Sequence, residues 1–158
     1  MIPQIVKTIE ENQNFLVVAH ENPDGDAIGS TLGLANALRE MGKDVVAFNV
    51  DGVPQIMQFL PGFDCLVTEI PDGKSFDVAF VLDSGDLVRA GIPVRDICKI
   101  LINIDHHPLS NFGDICFLDI AASATAVLID RVLNQCDYQM SLDVAKPLYL
   151  GILSDTGS

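Results

Sequence analysis

Short apolar segments with little alternation between polar and apolar residues most constrain how this chain can fold. Four of them, rich in Val, Ile, Leu and Phe, lie at residues 15–19, 45–49, 78–82 and 100–104. Weaker segments lie at residues 65–68 and 115–118. Strands of this composition are typical of a parallel sheet that is covered on both faces.

Helix-like segments alternate with these predicted strands. We predict helices at residues 3–12, 26–41, 122–136 and 143–153, and a shorter one at residues 54–59. Asp26 can cap the second helix, and Gly42 ends it. The alternation predicts an α/β fold with a mostly parallel sheet flanked by helices, in a Rossmann-like three-layer arrangement. A length of 158 residues suits a single domain, 1–158.

Histidines and aspartates follow three of the predicted strands, where ligands bind in open parallel sheets. The candidates are His20, Asp24 and Asp26, then Asp83, then Asp105, His106 and His107, and finally Asp155 near the end of the sequence. Taken singly, each motif has a simpler explanation, such as a turn, a helix cap or a histidine pair within a loop. Together they predict a metal site, because mixed imidazole and carboxylate ligands suit Mn²⁺, Mg²⁺, Fe²⁺ or Co²⁺.

The charge of the chain limits its partners. A net charge of −13 with nine Lys and Arg excludes a long nucleic-acid track, which needs clustered cations. We expect a short anionic substrate that is bound through metal ions, although solubility alone also explains an acidic surface. No apolar run is long enough to span a bilayer, and the first residues lack the features of a signal peptide. We therefore expect a cytoplasmic protein with no membrane partner.

Four motifs resemble, in order and spacing, those of the DHH phosphoesterase family. They read HENPDGD at 20–26, VLD at 81–83, DHH at 105–107 and GILSDTG at 151–157. That family includes RecJ exonuclease, family II inorganic pyrophosphatase, exopolyphosphatase and the nanoRNase/pAp phosphatases. The long first motif, DSGD at 83–86 and AASATA at 121–126 look most like the nanoRNase/pAp phosphatase group and its cyclic dinucleotide phosphodiesterase relatives.

The resemblance implies a centre of two divalent metal ions, with Mn²⁺ as the expected ion and Mg²⁺ or Co²⁺ as alternatives. Six side chains would hold the ions: His20, Asp24 and Asp155 around one, Asp26 and His106 around the other, and Asp83 between both. Two such ions activate water near neutral pH and neutralise charge on the phosphate, so no dedicated general base is required.

The resemblance also implies roles beside the metal ions. The residue at the position of His107 faces the scissile phosphate as a hydrogen-bond or charge donor, and we place Asp105 behind an imidazole that it orients. Ser123 and Thr125 lie near the start of a predicted helix, whose N–H groups can bind phosphate. Capping of that helix is the simpler role for Ser123, and both roles stay open.

The resulting hypothesis is a manganese-dependent phosphoesterase that acts on short oligonucleotides, pAp or cyclic dinucleotides. One alternative is a phosphoanhydride hydrolase acting on pyrophosphate or polyphosphate, and the other is a non-catalytic metal- or nucleotide-binding domain. Family members carry a second, C-terminal domain with a glycine-rich motif and basic residues, which is absent from this sequence. Because the sequence stops inside its last motif, we expect a domain that works with a separate C-terminal domain, with a homodimer as another open possibility.

Overall fold

A six-stranded sheet with four α-helices forms the part of the chain that the computed structural model describes, residues 1–157. The strands are β1 (Asn14–Ala19), β2 (Asp44–Phe48), β3 (Leu66–Val67), β4 (Phe76–Leu82), β5 (Cys98–Asp105) and β6 (Ile115–Leu118). The helices are α1 (Ile2–Glu11), α2 (Gly25–Glu40), α3 (Thr125–Leu133) and α4 (Leu142–Thr156).

All strand pairs are parallel, and the strand order is β3-β2-β1-β4-β5-β6. The order reverses between β1 and β4, and such a switch point opens a crevice beyond the carboxyl ends of the strands. Ala19 pairs with Leu82, and Leu82 pairs with Ile104. The three central strands therefore reach the same level, and His20, Asp83 and Asp105 lie side by side just beyond it.

Both faces of the sheet are covered, but by different kinds of structure. One face, which includes Phe15 and Phe80, forms a single apolar core with residues of all four α-helices, and α4 packs chiefly on α2 and α3. The opposite face, which includes Leu16 and Val81, lies under two short 3₁₀ turns at residues 87–90 and 94–97. Successive strand side chains point to opposite faces, so burial of both faces explains the lack of alternation in the sequence. The predicted α/β fold is confirmed, and the sheet is entirely parallel.

Local chemistry shifts several predicted element bounds. Asp24, and not Asp26, caps α2, because its Oδ1 accepts the N–H of Ala27 at 2.9 Å. Helix α3 begins three residues later than predicted, since a turn at Asp119 precedes it. The short helix predicted at 54–59 is a 3₁₀ turn, Gln55–Met57. Among the described helices, none has the length and hydropathy that crossing a bilayer requires.

Helices α2 and α4 approach each other closely through glycines, and this contact places the ligand candidates of α2 near that of α4. A Cβ on Gly29 would lie 2.3 Å from the carbonyl oxygen of Pro147 and 2.9 Å from the backbone nitrogen of Gly151. A Cβ on Gly33 would instead meet the Leu148 side chain, 2.5 Å from its Cδ2 and 2.7 Å from its Cγ. Backbone cannot move aside as a side chain can, so the contact at Gly29 is the harder of the two to relieve.

We expect Gly29→Ala to destabilise the protein by about 2 kcal/mol, because overpacking outweighs the gain in helix propensity. Gly33→Ala is the comparison in the same helix, and its cost should be smaller, because the Leu148 side chain can shift where the backbone of α4 cannot. Urea unfolding of both variants measures the difference. Equal stabilities of the two variants would show that the backbone contact at Gly29 does not limit helix packing.

Candidate metal centre

The predicted site residues meet at the carboxyl edge of the sheet, beside the switch point. His20 follows β1 and Asp83 follows β4, while Asp105 is the last residue of β5. Asp26 lies in the first turn of α2, and Asp155 lies in the last turn of α4. Three of these carboxylates are almost completely buried, since Asp26 and Asp105 are 0% and Asp83 is 1% exposed.

Two groups of candidate ligands share the carboxylate of Asp83. In the first group, Nε2 of His20 lies 3.8 Å from Asp24 Oδ1 and 3.7 Å from Asp83 Oδ2. In the second group, Nε2 of His106 lies 3.5 Å from Asp83 Oδ1, so the two oxygens of Asp83 face different imidazoles. This placement is the one that a bridging carboxylate requires.

The second group also contains Asp26 and Asp155. Nε2 of His106 lies 3.9 Å from Asp26 Oδ2 and 3.1 Å from Asp155 Oδ2. The family resemblance implied that Asp155 joins His20 and Asp24, whereas in the structure it lies against His106. The reason is the α2–α4 contact, which brings the end of α4 alongside the first turn of α2, where Asp26 lies.

His20 and His106 each form a hydrogen bond through Nδ1, which leaves their Nε2 atoms available to a metal ion. Nδ1 of His20 lies 2.6 Å from the Glu21 carbonyl oxygen, and Nδ1 of His106 lies 3.3 Å from that of Ala122. A carbonyl can only accept, so it fixes the hydrogen on Nδ1 and turns the Nε2 lone pair towards the carboxylates. Metal-binding histidines are commonly oriented in this way.

Nε2 of His106 gives an independent indication of fit. It is buried, and within residues 1–157 it has no hydrogen-bond partner of acceptable geometry, although three carboxylates lie within 4 Å. A buried nitrogen among carboxylates without a well-formed hydrogen bond is costly unless a further group joins them. A divalent cation satisfies the nitrogen and the carboxylates at once, so the residues present fit a metal ion.

Crowding of acidic groups shifts the pKa values of the site. Burial, together with the charge of Asp83, raises the pKa of Asp26 to about 7. The adjacent Asp83 carboxylate raises the pKa of His106 to about 9. The nearby His20 lowers the pKa of Asp24 to about 2, and Asp24 in turn raises the pKa of His20. Strongly shifted pKa values of this kind are concentrated at functional sites.

We expect the metal-free protein to lose stability as the pH rises from about 4 to about 9. The folded pKa of Asp26 lies above its unfolded value of 3.8, so its contribution is lost between that value and about pH 7. His106 contributes stability that is complete below its unfolded pKa of 6.5 and is lost as the pH rises through about 9. Thermal unfolding in EDTA across this pH range measures the slope.

Asp83→Asn is the comparison for this pH dependence, because the Asp83 charge raises both pKa values. In this variant the decline in melting temperature with pH should be shallower than in the parent protein. Parallel pH profiles for the two proteins would contradict the assignment of the slope to this cluster.

Asp105 connects the Asp83 loop to His107. Its Oδ2 accepts the backbone N–H groups of Ser84 at 3.1 Å and Gly85 at 2.7 Å. Its Oδ1 accepts the backbone N–H of His107 at 2.9 Å and lies 2.7 Å from Nδ1 of the same residue. With Nδ1 bound to Asp105, Nε2 is the atom through which His107 can reach a substrate. Burial favours the neutral acid, but these hydrogen bonds outweigh it and lower the pKa of Asp105.

The structure does not support the capping role of Ser123. Ala124, and not Ser123, is the N-cap residue of α3, and no side chain of the segment before the helix caps it. Instead, the Asp26 carboxylate accepts the first helical N–H groups, from Thr125 at 2.6 Å and Ala126 at 2.9 Å. A carboxylate therefore occupies the N–H groups that the sequence analysis offered to phosphate. Binding of substrate by the exposed Ser123 stays a prediction.

Two buried residues near the site make contacts that the sequence did not predict. Nδ2 of Asn49 donates to the carbonyl oxygen of His20 at 2.9 Å, and Oγ1 of Thr125 donates to Asp83 Oδ1 at 3.0 Å. Asn49 was predicted at the end of a strand next to that of His20, where a buried amide needs a partner. Thr125 stood beside Ser123 in the same segment, but its pairing with Asp83 spans 42 residues.

Comparisons with known proteins place these observations in a family. The sequence profile of the "DHH family, N-terminal domain" matches residues 14–152. The "Bifunctional oligoribonuclease and PAP phosphatase NrnA" of Thermus thermophilus is 33% identical over 163 residues, covering 100% of this chain and 47% of the relative. A "Probable manganese-dependent inorganic pyrophosphatase" of Streptococcus thermophilus is 26% identical over 151 residues, covering 90% of this chain and 48% of the relative.

A solved structure has the same architecture. The crystal structure of an exopolyphosphatase-related protein from Bacteroides fragilis matches with a TM-score of 0.91 at 28% identity, over 99% of this chain and 50% of that one. The chain thus spans about half the length of the relatives that it matches.

Proposed function

Since this chain belongs to the DHH family, we propose that it is a manganese-dependent phosphoesterase acting on short oligonucleotides or pAp. The observation that carries the proposal is the sharing of Asp83 between two groups of imidazole and carboxylate ligands. The Thermus thermophilus relative supports the substrate class, and the name of the pyrophosphatase relative supports Mn²⁺.

We assign the ligands by their placement. His20 and Asp24 would hold one ion, and the second would be held by His106 with the carboxylates of α2 and α4, Asp26 and Asp155. Asp83 would contact both ions. When bound, the ions would supply an activated water and neutralise charge on the phosphoryl oxygens.

His107 and the overall charge of the chain complement such a metal site. When its ring is protonated, His107 donates from Nδ1 to Asp105 and would have a second N–H, on Nε2, for a phosphoryl oxygen. The chain has a net charge of −13, so an anionic substrate is repelled except where cations are bound. This balance favours short substrates whose charge is neutralised within the site. Substrate recognition by a separate C-terminal domain stays part of the proposal.

Hydrolysis of pAp, a diribonucleotide and pyrophosphate, each with Mn²⁺ or with EDTA, tests the function. We expect Mn²⁺-dependent cleavage of pAp or the diribonucleotide, at rates well above that for pyrophosphate. Cleavage that persists in EDTA would contradict the metal-dependent mechanism. If all substrates stay intact while Mn²⁺ binds, a non-catalytic binding domain is the better description.

A phosphoanhydride hydrolase is the second candidate. The pyrophosphatase relative, which aligns with 90% of this chain, favours it. The same two-metal arrangement can serve both reactions, because both displace an oxygen leaving group from phosphorus. Faster release of phosphate from pyrophosphate than from pAp would establish this candidate in place of the first.

A further inference from the structure

One threonine at the start of α3 contacts the candidate ligands of both ions. The Thr125 side chain is 0% exposed, and its hydroxyl donates to Asp83 Oδ1 at 3.0 Å. Its backbone N–H donates to Asp26 Oδ2 at 2.6 Å. Asp83 faces both imidazoles, while Asp26 belongs to the second group, so the contacts of Thr125 reach the whole centre.

The backbone part of this contact holds Asp26 in one orientation. Its Oδ2 accepts the N–H of Thr125, and its Oδ1 accepts the N–H of Ala126 and the hydroxyl of Ser30, at 2.9 and 3.1 Å. The N-terminus of a helix also attracts a negative charge through the helix dipole. The two backbone hydrogen bonds lower the pKa of Asp26, although burial and the charge of Asp83 outweigh them and raise it overall.

The hydroxyl of Thr125 has a separate effect on Asp83. By binding Oδ1, it fixes the rotation of the carboxylate and so directs Oδ2 towards His20, at 3.7 Å from Nε2. Without that hydrogen bond the carboxylate of Asp83 could rotate, and the alignment of its two oxygens with the two groups would be lost. Groups that orient metal ligands commonly change metal affinity about 10- to 100-fold, although they do not touch the metal.

We propose that Thr125 is a positioning residue, whose hydroxyl sets the orientation of Asp83 for metal binding. The proposal rests on the proposed metal centre, but it does not depend on the identity of the substrate. The backbone N–H groups of α3 are present in every variant of the Thr125 side chain. The proposal therefore predicts that metal affinity changes only when the hydroxyl is removed.

Calorimetric titration with Mn²⁺ tests the proposal with four proteins: the parent chain, Thr125→Val, Thr125→Ser and Thr31→Val. Valine has the shape of threonine without its hydroxyl, so Thr125→Val should weaken Mn²⁺ binding roughly 10- to 100-fold. Serine keeps the hydroxyl, so Thr125→Ser should bind Mn²⁺ within about threefold of the parent chain.

Thr31→Val is the matched control. Thr31 is also buried in a helix, at 1% exposure, but within residues 1–157 its hydroxyl has no hydrogen-bond partner. Its replacement should leave Mn²⁺ affinity within about threefold of the parent value. Circular dichroism in EDTA shows whether each variant folds, and Thr125→Ala replaces Thr125→Val if the valine variant does not.

Four outcomes separate the possibilities. Parent-like Mn²⁺ binding by Thr125→Val overturns the positioning role, as does an equal loss in Thr125→Ser. A parent chain that binds no Mn²⁺ overturns both this role and the proposed function. A parent chain that binds Mn²⁺ but cleaves no substrate contradicts the proposed function alone, and the pattern among the variants still decides the role of Thr125.

Discussion

Replacement of Asp83 by asparagine should weaken both Mn²⁺ binding events and lower the rate of phosphoester cleavage by at least about 10³-fold. The reason is the position of Asp83 between two groups, with Oδ2 at 3.7 Å from His20 and Oδ1 at 3.5 Å from His106. Loss of a ligand to one ion affects one site, whereas loss of the shared carboxylate affects both. Mn²⁺ calorimetry and initial rates with pAp measure the two effects.

Asparagine is the appropriate replacement because of the backbone at this position. Asp83 has a φ of 53°, in the left-handed region, which asparagine adopts more readily than alanine. The asparagine side chain also keeps an oxygen that can accept the Thr125 hydroxyl. The variant therefore removes the negative charge with little change in local structure.

Asp86→Asn is the control in the same loop. Asp86 is exposed, and its Oδ1 accepts the N–H of Val88 at the start of a 3₁₀ turn. Metal affinity and rate should therefore stay within about threefold of the parent values. If Asp83→Asn abolished one Mn²⁺ binding event and left the other unchanged, Asp83 would be a ligand of a single ion and the bridging assignment would be wrong.

The sequence was sufficient to predict the parts of this structure that depend on local patterns. Burial on both faces of a parallel sheet leaves continuous apolar segments, and for β6 the predicted residues 115–118 coincide with the strand Ile115–Leu118. Likewise, polar residues directly after such strands were expected at the carboxyl edge of the sheet. The strand register then brings His20, Asp83 and Asp105 to one level.

What the sequence could not predict depends on contacts between distant segments. Asp26 lies at the predicted start of α2 and was expected to cap that helix. Instead, its carboxylate caps α3, about 100 residues away in the sequence. The same contact removes the free N–H groups that made Ser123 a candidate for phosphate binding. The placement of Asp155 beside His106 depends on how α4 packs on α2, which no local pattern specifies.

Adjacent histidines should have separable functions, which asparagine replacements can distinguish. The amide nitrogen of asparagine lies near the position of Nδ1, so His106→Asn and His107→Asn can each keep the hydrogen bond made there, to Ala122 and Asp105 respectively. Each variant removes Nε2. Because Nε2 of His106 lies among three carboxylates, His106→Asn should weaken one Mn²⁺ binding event at least about 10-fold.

His107→Asn should instead leave Mn²⁺ affinity within about threefold of the parent value and lower turnover by roughly 10²- to 10³-fold. The His107 side chain is 45% exposed, against 17% for His106. A side chain that contacts a substrate must be accessible, and His107 is the more accessible of the two. However, its Nδ1 also lies 3.4 Å from Asp83 Oδ1, within reach of the metal centre. An equal loss of Mn²⁺ affinity in both variants would therefore identify His107 as a ligand, and unchanged turnover would exclude it from the reaction. Loss of turnover with Mn²⁺ binding intact would leave charge stabilisation at the phosphoryl group as its role.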